Sequence, residues 1–550
     1  MKTKITGIVV ILLFSGATFG QTKDFIKSDG ITSPLHQSNI GKITFMSAVI
    51  PIEQYTAADF LKTFEWKVPS DLNIRAFLGN SLTNYLHPLA PALTVEELTK
   101  KGNYQFSFFV DSILVYKENL SPGAGSPQNK NTKTILRVPF TSTTNEDSWG
   151  RFLWMRFMIN GGEEALTRGT HLLRIEARPY VRTTEIKVGE VIAAGDLQMI
   201  VVKPAVDEKA VQIQSIASGS GWNVSTDDYN TTKIKELNFK IADKIFKDIT
   251  SIVVIKDGKL LIEEYFNDAK RDALHDTRSV GKSFTSAMMG IAINNGYIKN
   301  EQQTLGTYYH LKQFENYTSK KDSVTLKSLL TMSSAFDGYD MDDNSPGNEE
   351  KMYPTSNWVK FTLDLPMDST SIIGNNWMYF TAGVVVLGDV LNKAVPEGLE
   401  KYTHKMLMQP LGIKTYQWMY TPQKVVSTAG GLQMRSLDYA KFGQLYKNNG
   451  IWEGQQIIPA DWVKKTFTKY LPIAGSEDEF YGYLFWNKTY KVNGKLQETF
   501  YSSGNGGNKI FVFKELPLVV VITSTAYNTP YGHSQVDKIM ERYILPAVVK

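Results

Sequence analysis

The chain has 550 residues, 42% of them hydrophobic and 21% charged, with a formal net charge of +5 and no cysteine. Its length exceeds what one hydrophobic core supports and points to two domains, while its composition lies outside the disordered and collagen-like ranges. Without cysteine there is no disulfide framework, thiolate nucleophile or cysteine zinc site, and lysines scattered among carboxylates make no basic stripe for nucleic acid.

The chain opens on a basic "MKTK", an apolar "ITGIVVILLFSGATFG" and small residues before "QTKDF". That order predicts a secretion signal over 1–20, removed on export to the periplasm or the medium. The apolar run is shorter than the roughly 20 residues a spanning helix needs, so no membrane segment is expected after cleavage.

From 21 to 224 the expected elements are strands. "NYQFSFFVDSILVYKE", "WGRFLWMRFMINGG" and "GTHLLRIEARPYV" alternate large apolar with polar or small residues, and "SPGAGSPQNKNTKT" reads as a connecting loop. An antiparallel β-sandwich is predicted here. Such a module suits contact with a glycan or the cell wall, or serves as a spacer. "NVSTDDYNTT" begins a polar stretch, and 225–238 is expected to link the halves.

The pattern changes over 239–550. "SIVVIKDGKLLIEEYF" is a hairpin turning at Asp257-Gly258, helical segments follow, and strands return in "FYGYLFWNKTYKVNG", "NKIFVF" and "LPLVVVITS". A sheet assembled from both ends of a domain, with helices between, is an α+β architecture.

Within this half "TRSVGKSFTSAMMGIAINNG" carries Ser279 and Lys282 three residues apart, a spacing that places both on one helix face. Val280, Phe284, Ala287, Met288 and Ile291 form an apolar stripe at helical spacing, and Asn295-Gly296 marks the stop. The other face holds Lys282, Ser283, Ser286 and Met289, so it is polar yet nearly free of charge and reads as covered. Covering a lysine disfavours its ammonium form and suits it to accept a proton. The backbone N–H of Ser279 is available to a developing oxyanion. Four histidines, at 275, 310, 404 and 533, fall in this half without metal-ligand spacing. The acidic run "DGYDMDDNSPGNEE", 337–350, either rims the site, where it would repel anionic substrates, or is a solvated loop, and the loop is the expectation.

The hairpin, the Ser-x-x-Lys helix, "SLLTMSSAFDGYD", "STAGGLQMRSLDYAKFGQLYKNNGIWEGQQIIPADWV" and "SSGNGGNKIFVFKELPLVVVITS" occur in the order found in serine β-lactamases and penicillin-binding proteins. This half resembles that superfamily, most closely the branch of class C β-lactamases, esterases and 6-aminohexanoate-dimer hydrolases. The resemblance implies a β-lactamase-like α+β domain behind the β-sandwich, and Ser279 as acylated nucleophile with Lys282 as its proton acceptor. It also implies that Tyr379, in "WMYFTAGVVVLGDVL", is the catalytic tyrosine of a Tyr-x-Asn motif whose asparagine is here Thr381. Where the family has Lys-Thr-Gly or His-x-Gly, this sequence has "YSSGNGG", so Ser503, Gly504, Asn505 and Gly506 are the expected substrate-binding edge. The family's lysine, which holds a substrate carboxylate, is missing from that motif. The expected activity is hydrolysis of an ester or amide in a small molecule, peptide or oligomer, with no metal or organic cofactor. Its rivals are a β-lactamase or D-amino-acid peptidase, and a non-catalytic or glycan-binding protein with a hydrolase-like domain.

Overall fold

The computed structural model describes residues 24–549 except 48–49, 51–53, 68–69, 123 and 142–148. The leader expected over 1–20 lies outside the described residues. Among those described, no helix is long and apolar enough to cross a membrane.

The chain divides into two compact units, Met1–Ala205 and Val206–Lys550. The first is sheet-rich. Five strands run in the order Thr63–Trp66, Ala193–Val201, Gly169–Arg182, Gly102–Val110, Ile113–Asn119, with Ile186–Val188 paired to Gly169–Arg182. A second sheet joins Ile43–Met46, Leu72–Phe77 and Ile135–Thr141. Gly102–Val110 turns into Ile113–Asn119 through Asp111 and Ser112, both at positive φ, as a tight hairpin demands.

Two features depart from an antiparallel sandwich. Thr63–Trp66 pairs parallel to Ala193–Val201, and "WGRFLWMRF", expected to be a strand, is the helix Trp149–Phe157. The reason is visible in burial: Gly150, Leu153, Trp154 and Phe157 are buried, a spacing of three and four that belongs to a helix rather than to alternation. Phe157 stacks on Phe108 at 4.6 Å and Trp154 on Phe140 at 5.4 Å, so the helix closes the core shared by both sheets.

In the second unit the expected linker is partly helical. α1 (Thr231–Ala242) starts at Asn230, whose side chain accepts from Lys233 N, and buries Ile234, Leu237 and Ile241. That apolar triplet at three- and four-residue spacing keeps 231–242 on the domain surface, and the boundary falls at 205/206 instead of 224/225.

Eight strands make the central sheet: β1 (Ile249–Lys256), β2 (Lys259–Tyr265), β3 (Leu471–Pro472), β4 (Phe480–Tyr481), β5 (Trp486–Val492), β6 (Lys495–Gly504), β7 (Asn508–Phe513) and β8 (Leu518–Ser524). Their order is β2-β1-β8-β7-β6-β5-β4-β3, and every pairing is antiparallel. The β1–β2 turn has Asp257 at φ 50° and Gly258 at 71°, as the sequence anticipates.

Both faces of this sheet are covered, which explains why "SIVVIK" and "LVVVITS" are continuously apolar. Ile252, Val254, Val520 and Ile522 face α1 and α5 (Gly532–Ile539), whereas Val253, Ile255, Val519 and Val521 face the cluster of α2 (Gly281–Asn294), α3 (Thr381–Ala394) and α4 (Ser436–Lys447). α2 is enclosed. Its residues 281–292 are all buried, Phe284 stacks on Phe442 of α4 at 3.7 Å, and a Cβ on Gly290 would meet the Trp462 ring at 2.3 Å.

Candidate active site

Three segments distant in sequence converge at the start of α2. Ser279 lies in a single 3-10 turn, Arg278–Val280, that runs directly into the helix. Arg278 before it has φ 55°, a conformation that non-glycine residues adopt at a cost of order 1–3 kcal/mol. Asp276 Oδ1 accepts from Arg278 N at 3.1 Å, and the guanidinium lies 4.5 Å over the Tyr527 ring. These contacts hold the kink that turns Ser279 outward.

The helix's lone charge is the group beside Ser279. Lys282, 1% exposed, places Nζ 2.8 Å from Ser279 Oγ, and the same nitrogen donates to the Ala429 carbonyl at 2.5 Å. Its Nζ is 5.3 Å from the centre of the Tyr379 ring. Tyr379 is buried immediately before α3; burial raises its hydroxyl above the ordinary tyrosine value, while Lys282 and a hydrogen bond with Ser279 pull it back. Ser279, Lys282 and Tyr379 are therefore brought together.

Two glycines clamp the backbone at Ser279. A Cβ on Gly504 would stand 1.9 Å from the Thr277 carbonyl oxygen and 3.1 Å from Ser279 N. One on Gly430 would stand 2.6 Å from the Arg278 carbonyl and 2.9 Å from Ser279 N. Only residues without a side chain allow this approach.

Ser279 opens on two cavities. The larger, about 370 Å³, is walled by Tyr379, Ser503, Gly504 and Asn505 among others. The smaller, about 290 Å³, has Gly430, Tyr353 and Tyr527 in its wall, and the two share Ser279, Glu349 and Asn505. Gly506 is absent from both linings and instead makes the turn after β6, at φ 88°. Thr381 is also elsewhere. Its backbone N–H donates to Asp340 Oδ2 at 2.7 Å, and its buried hydroxyl is directed to the same carboxylate.

Other wall residues lie outside the expected substrate-binding edge. Asp340, Met341 and Glu349, from the acidic run 337–350, line the larger cavity, so part of that run takes the rim position that was the alternative to a solvated loop. Burial and the Glu349 carboxylate push Asp340 up to about 6, against hydrogen bonds from the Thr381 side chain and N–H and the charge of Lys282. His533 lines it as well, whereas His275 is buried elsewhere with Nδ1 3.2 Å from Thr250 Oγ1. Lys509 is the other surprise. It pairs across the ladder with Ser503, is 3% exposed, and supplies from β7 an ammonium group that the third motif lacks on β6. Burial lowers its proton affinity, and its charge is matched by Asp537 at 2.7 Å. Burial alone would raise Asp537, but Lys509 and Lys488 hold it near 2. The signal was the one that singled out Lys282: a solitary lysine in an apolar element, "NKIFVF".

A serine and lysine at the start of a helix beside a tyrosine, set against the end of a strand inside an antiparallel sheet between helical layers, suit acyl transfer to a serine. The chain belongs to the β-lactamase family, whose model matches residues 246–542, more than half of its length. It is a serine hydrolase of that fold. Among solved structures it is similar to an octameric penicillin-binding protein homologue from Pyrococcus abyssi, at 20% identity over 56% of this chain and 76% of that one, with a TM-score of 0.44. A D-stereospecific amidohydrolase from Streptomyces sp. is 16% identical over 53% and 92%, with a TM-score of 0.41. A class C beta-lactamase is 14% identical over 58% and 96%, with a TM-score of 0.43. No curated protein matches the chain.

Proposed function

We propose that this enzyme cleaves ester or amide bonds through an acyl-enzyme on Ser279. The observation that carries the reading is the 2.8 Å contact between Lys282 Nζ and Ser279 Oγ in a helix whose other side chains bear no charge. With Nζ neutral, its lone pair takes the Oγ proton as Oγ bonds to the substrate carbonyl carbon, while an Nζ hydrogen stays on the Ala429 carbonyl. The carbonyl oxygen becomes an oxyanion within reach of Ser279 N. Tyr379 passes the proton from Lys282 to the leaving oxygen or nitrogen, and the C–O or C–N bond breaks. Water then adds to the acyl carbon, giving its proton back along the same path, and Ser279 is released with a carboxylic acid product.

A β-lactam or carboxy-terminal peptide substrate is less well supported. Lys509 and Lys488 are engaged by Asp537, and Arg278, in the wall of the smaller cavity, by Asp276, so among the described residues of the two cavity walls no unmatched lysine or arginine faces a substrate carboxylate. A fluorophosphonate tests the nucleophile. Intact-mass and peptide analysis should find one adduct on Ser279 and none in Ser279→Ala; a folded protein that forms no adduct would overturn the reading.

A further inference from the structure

The larger cavity carries negative charge that the protein itself leaves unmatched. Asp340 and Glu349 both line it beside Ser279 and Tyr379. Asp340 Oδ2 accepts from Thr381 N at 2.7 Å and Oδ1 from Glu349 N at 2.9 Å, and the Thr381 side chain adds a further hydrogen bond to the same carboxylate, which leaves part of its acceptor capacity open. Glu349 Oε2 accepts from the Tyr353 hydroxyl at 2.7 Å. Among the described residues neither carboxylate has a lysine or arginine at ion-pair distance. The other acids in the wall do: Asp537 binds Lys488 and Lys509, and Glu479 lies 3.7 Å from Lys488. Lys282 is directed to Ser279 and Ala429.

Aromatic faces complete the wall. Tyr379 and Trp486 have ring centres 5.5 Å apart, and Tyr501, 4% exposed, lines the same space with a hydroxyl that has no hydrogen-bond partner among the described residues. The Tyr379 and Tyr501 rings already carry lysine nitrogens, Lys282 at 5.3 Å and Lys488 and Lys509 at 5.4 and 5.1 Å, so the Trp486 face and the two carboxylates are what favour an ammonium group. A carboxylate brought to the same place would meet like charge and shed water without return.

We infer that the enzyme selects acyl groups bearing a protonated amine close to the scissile carbonyl, held between Asp340 and Glu349. The inference rests on acylation at Ser279 and adds the substrate class. The aminoacyl esters of small amino acids are the simplest members, with either configuration at the α-carbon.

The test compares D- and L-alanine methyl ester with methyl 2-methylpropanoate, which has a methyl group where alanine has its ammonium, in protein already shown to label with the fluorophosphonate. We expect kcat/KM at least tenfold higher for one or both alanine esters, and expect that ratio to fall towards one in Asp340→Asn and in Glu349→Gln, mainly through KM. Equal or faster hydrolysis of the uncharged ester by labelled wild-type protein overturns the inference and leaves the nucleophile assignment standing. So does a folded Asp340→Asn protein that slows both esters equally, since Asp340 would then act by positioning Lys282. Loss of labelling itself would instead refute the acyl-enzyme reading.

Discussion

Gly504→Ala is the sharpest probe of how the site is assembled. The added methyl carbon would lie 1.9 Å from the Thr277 carbonyl oxygen. An ordinary C···O contact needs about 3.3 Å, so the end of β6 and the turn before α2 must separate by about 1.4 Å. The ladder resists this, because Tyr501, Ser502 and Ser503 are paired with Phe511, Ile510 and Lys509. An oxyanion donor works over about 2.7–3.1 Å, and a displacement of that size removes its contribution, worth about 10²–10³ in kcat. The stability cost of such overpacking is about 1–3 kcal/mol, small enough for the fold to survive. Stopped-flow acylation with a chromogenic ester, beside a thermal melt, separates the two effects. Gly306→Ala is the control, since its Cβ would meet only Thr304 Oγ1 at 3.7 Å. A Gly504→Ala enzyme with an acylation rate within threefold of wild type would refute the close approach of β6 to Ser279 as a catalytic requirement.

Two further outcomes follow from buried ionisable groups. Lys282→Met keeps the volume of an enclosed side chain and removes its nitrogen, so acylation should fall by about 10²–10⁴-fold in a folded protein; activity within tenfold of wild type would exclude Lys282 as the base. Glu264, 1% exposed, is raised to about 7 by burial, against hydrogen bonds from Gln214 N and Asn238. Its folded value lies above its unfolded one, so its contribution to stability is complete below about 4.5 and is lost as pH rises through about 7. Glu264→Gln should therefore gain stability relative to wild type between pH 5 and pH 8, by up to about 3 kcal/mol. Urea unfolding across that range checks the sign, and a difference that stays flat with pH would contradict it.

What could be read in advance followed from local chemistry. The hairpin at Asp257-Gly258, the enclosed helix carrying Ser279 and Lys282, and the apolar strands of the C-terminal sheet each announce themselves by turn residues, spacing or burial pattern. The errors arose where tertiary packing overrode a short-range signal. "WGRFLWMRF" supports either period, and contact with Phe108 and Phe140 selects the helix. The acidic run 337–350 is polar enough for solvent, yet the α3 N-terminus draws Asp340 into the cavity wall through Thr381 N. Thr381 itself was aligned by motif position, and a position in a motif does not say which way a side chain points. Lys509 could not be placed without the register of β7 on β6, which pairs it with Ser503.

The central sheet also fixes when the site can exist. β1, which precedes Ser279, is hydrogen-bonded to β8, and Ile249 lies opposite Ser524. The edge that touches Ser279 arrives with Gly504, so a growing chain exposes its serine and lysine long before β6 to β8 are made. Such distant pairing is slow to form, because the loop must close before the ladder rewards it. Ser279 is thus without its second backbone wall until the last strands have zipped onto the first, and assembly of the proposed acylation site becomes a late event in folding, coupled to completion of the sheet.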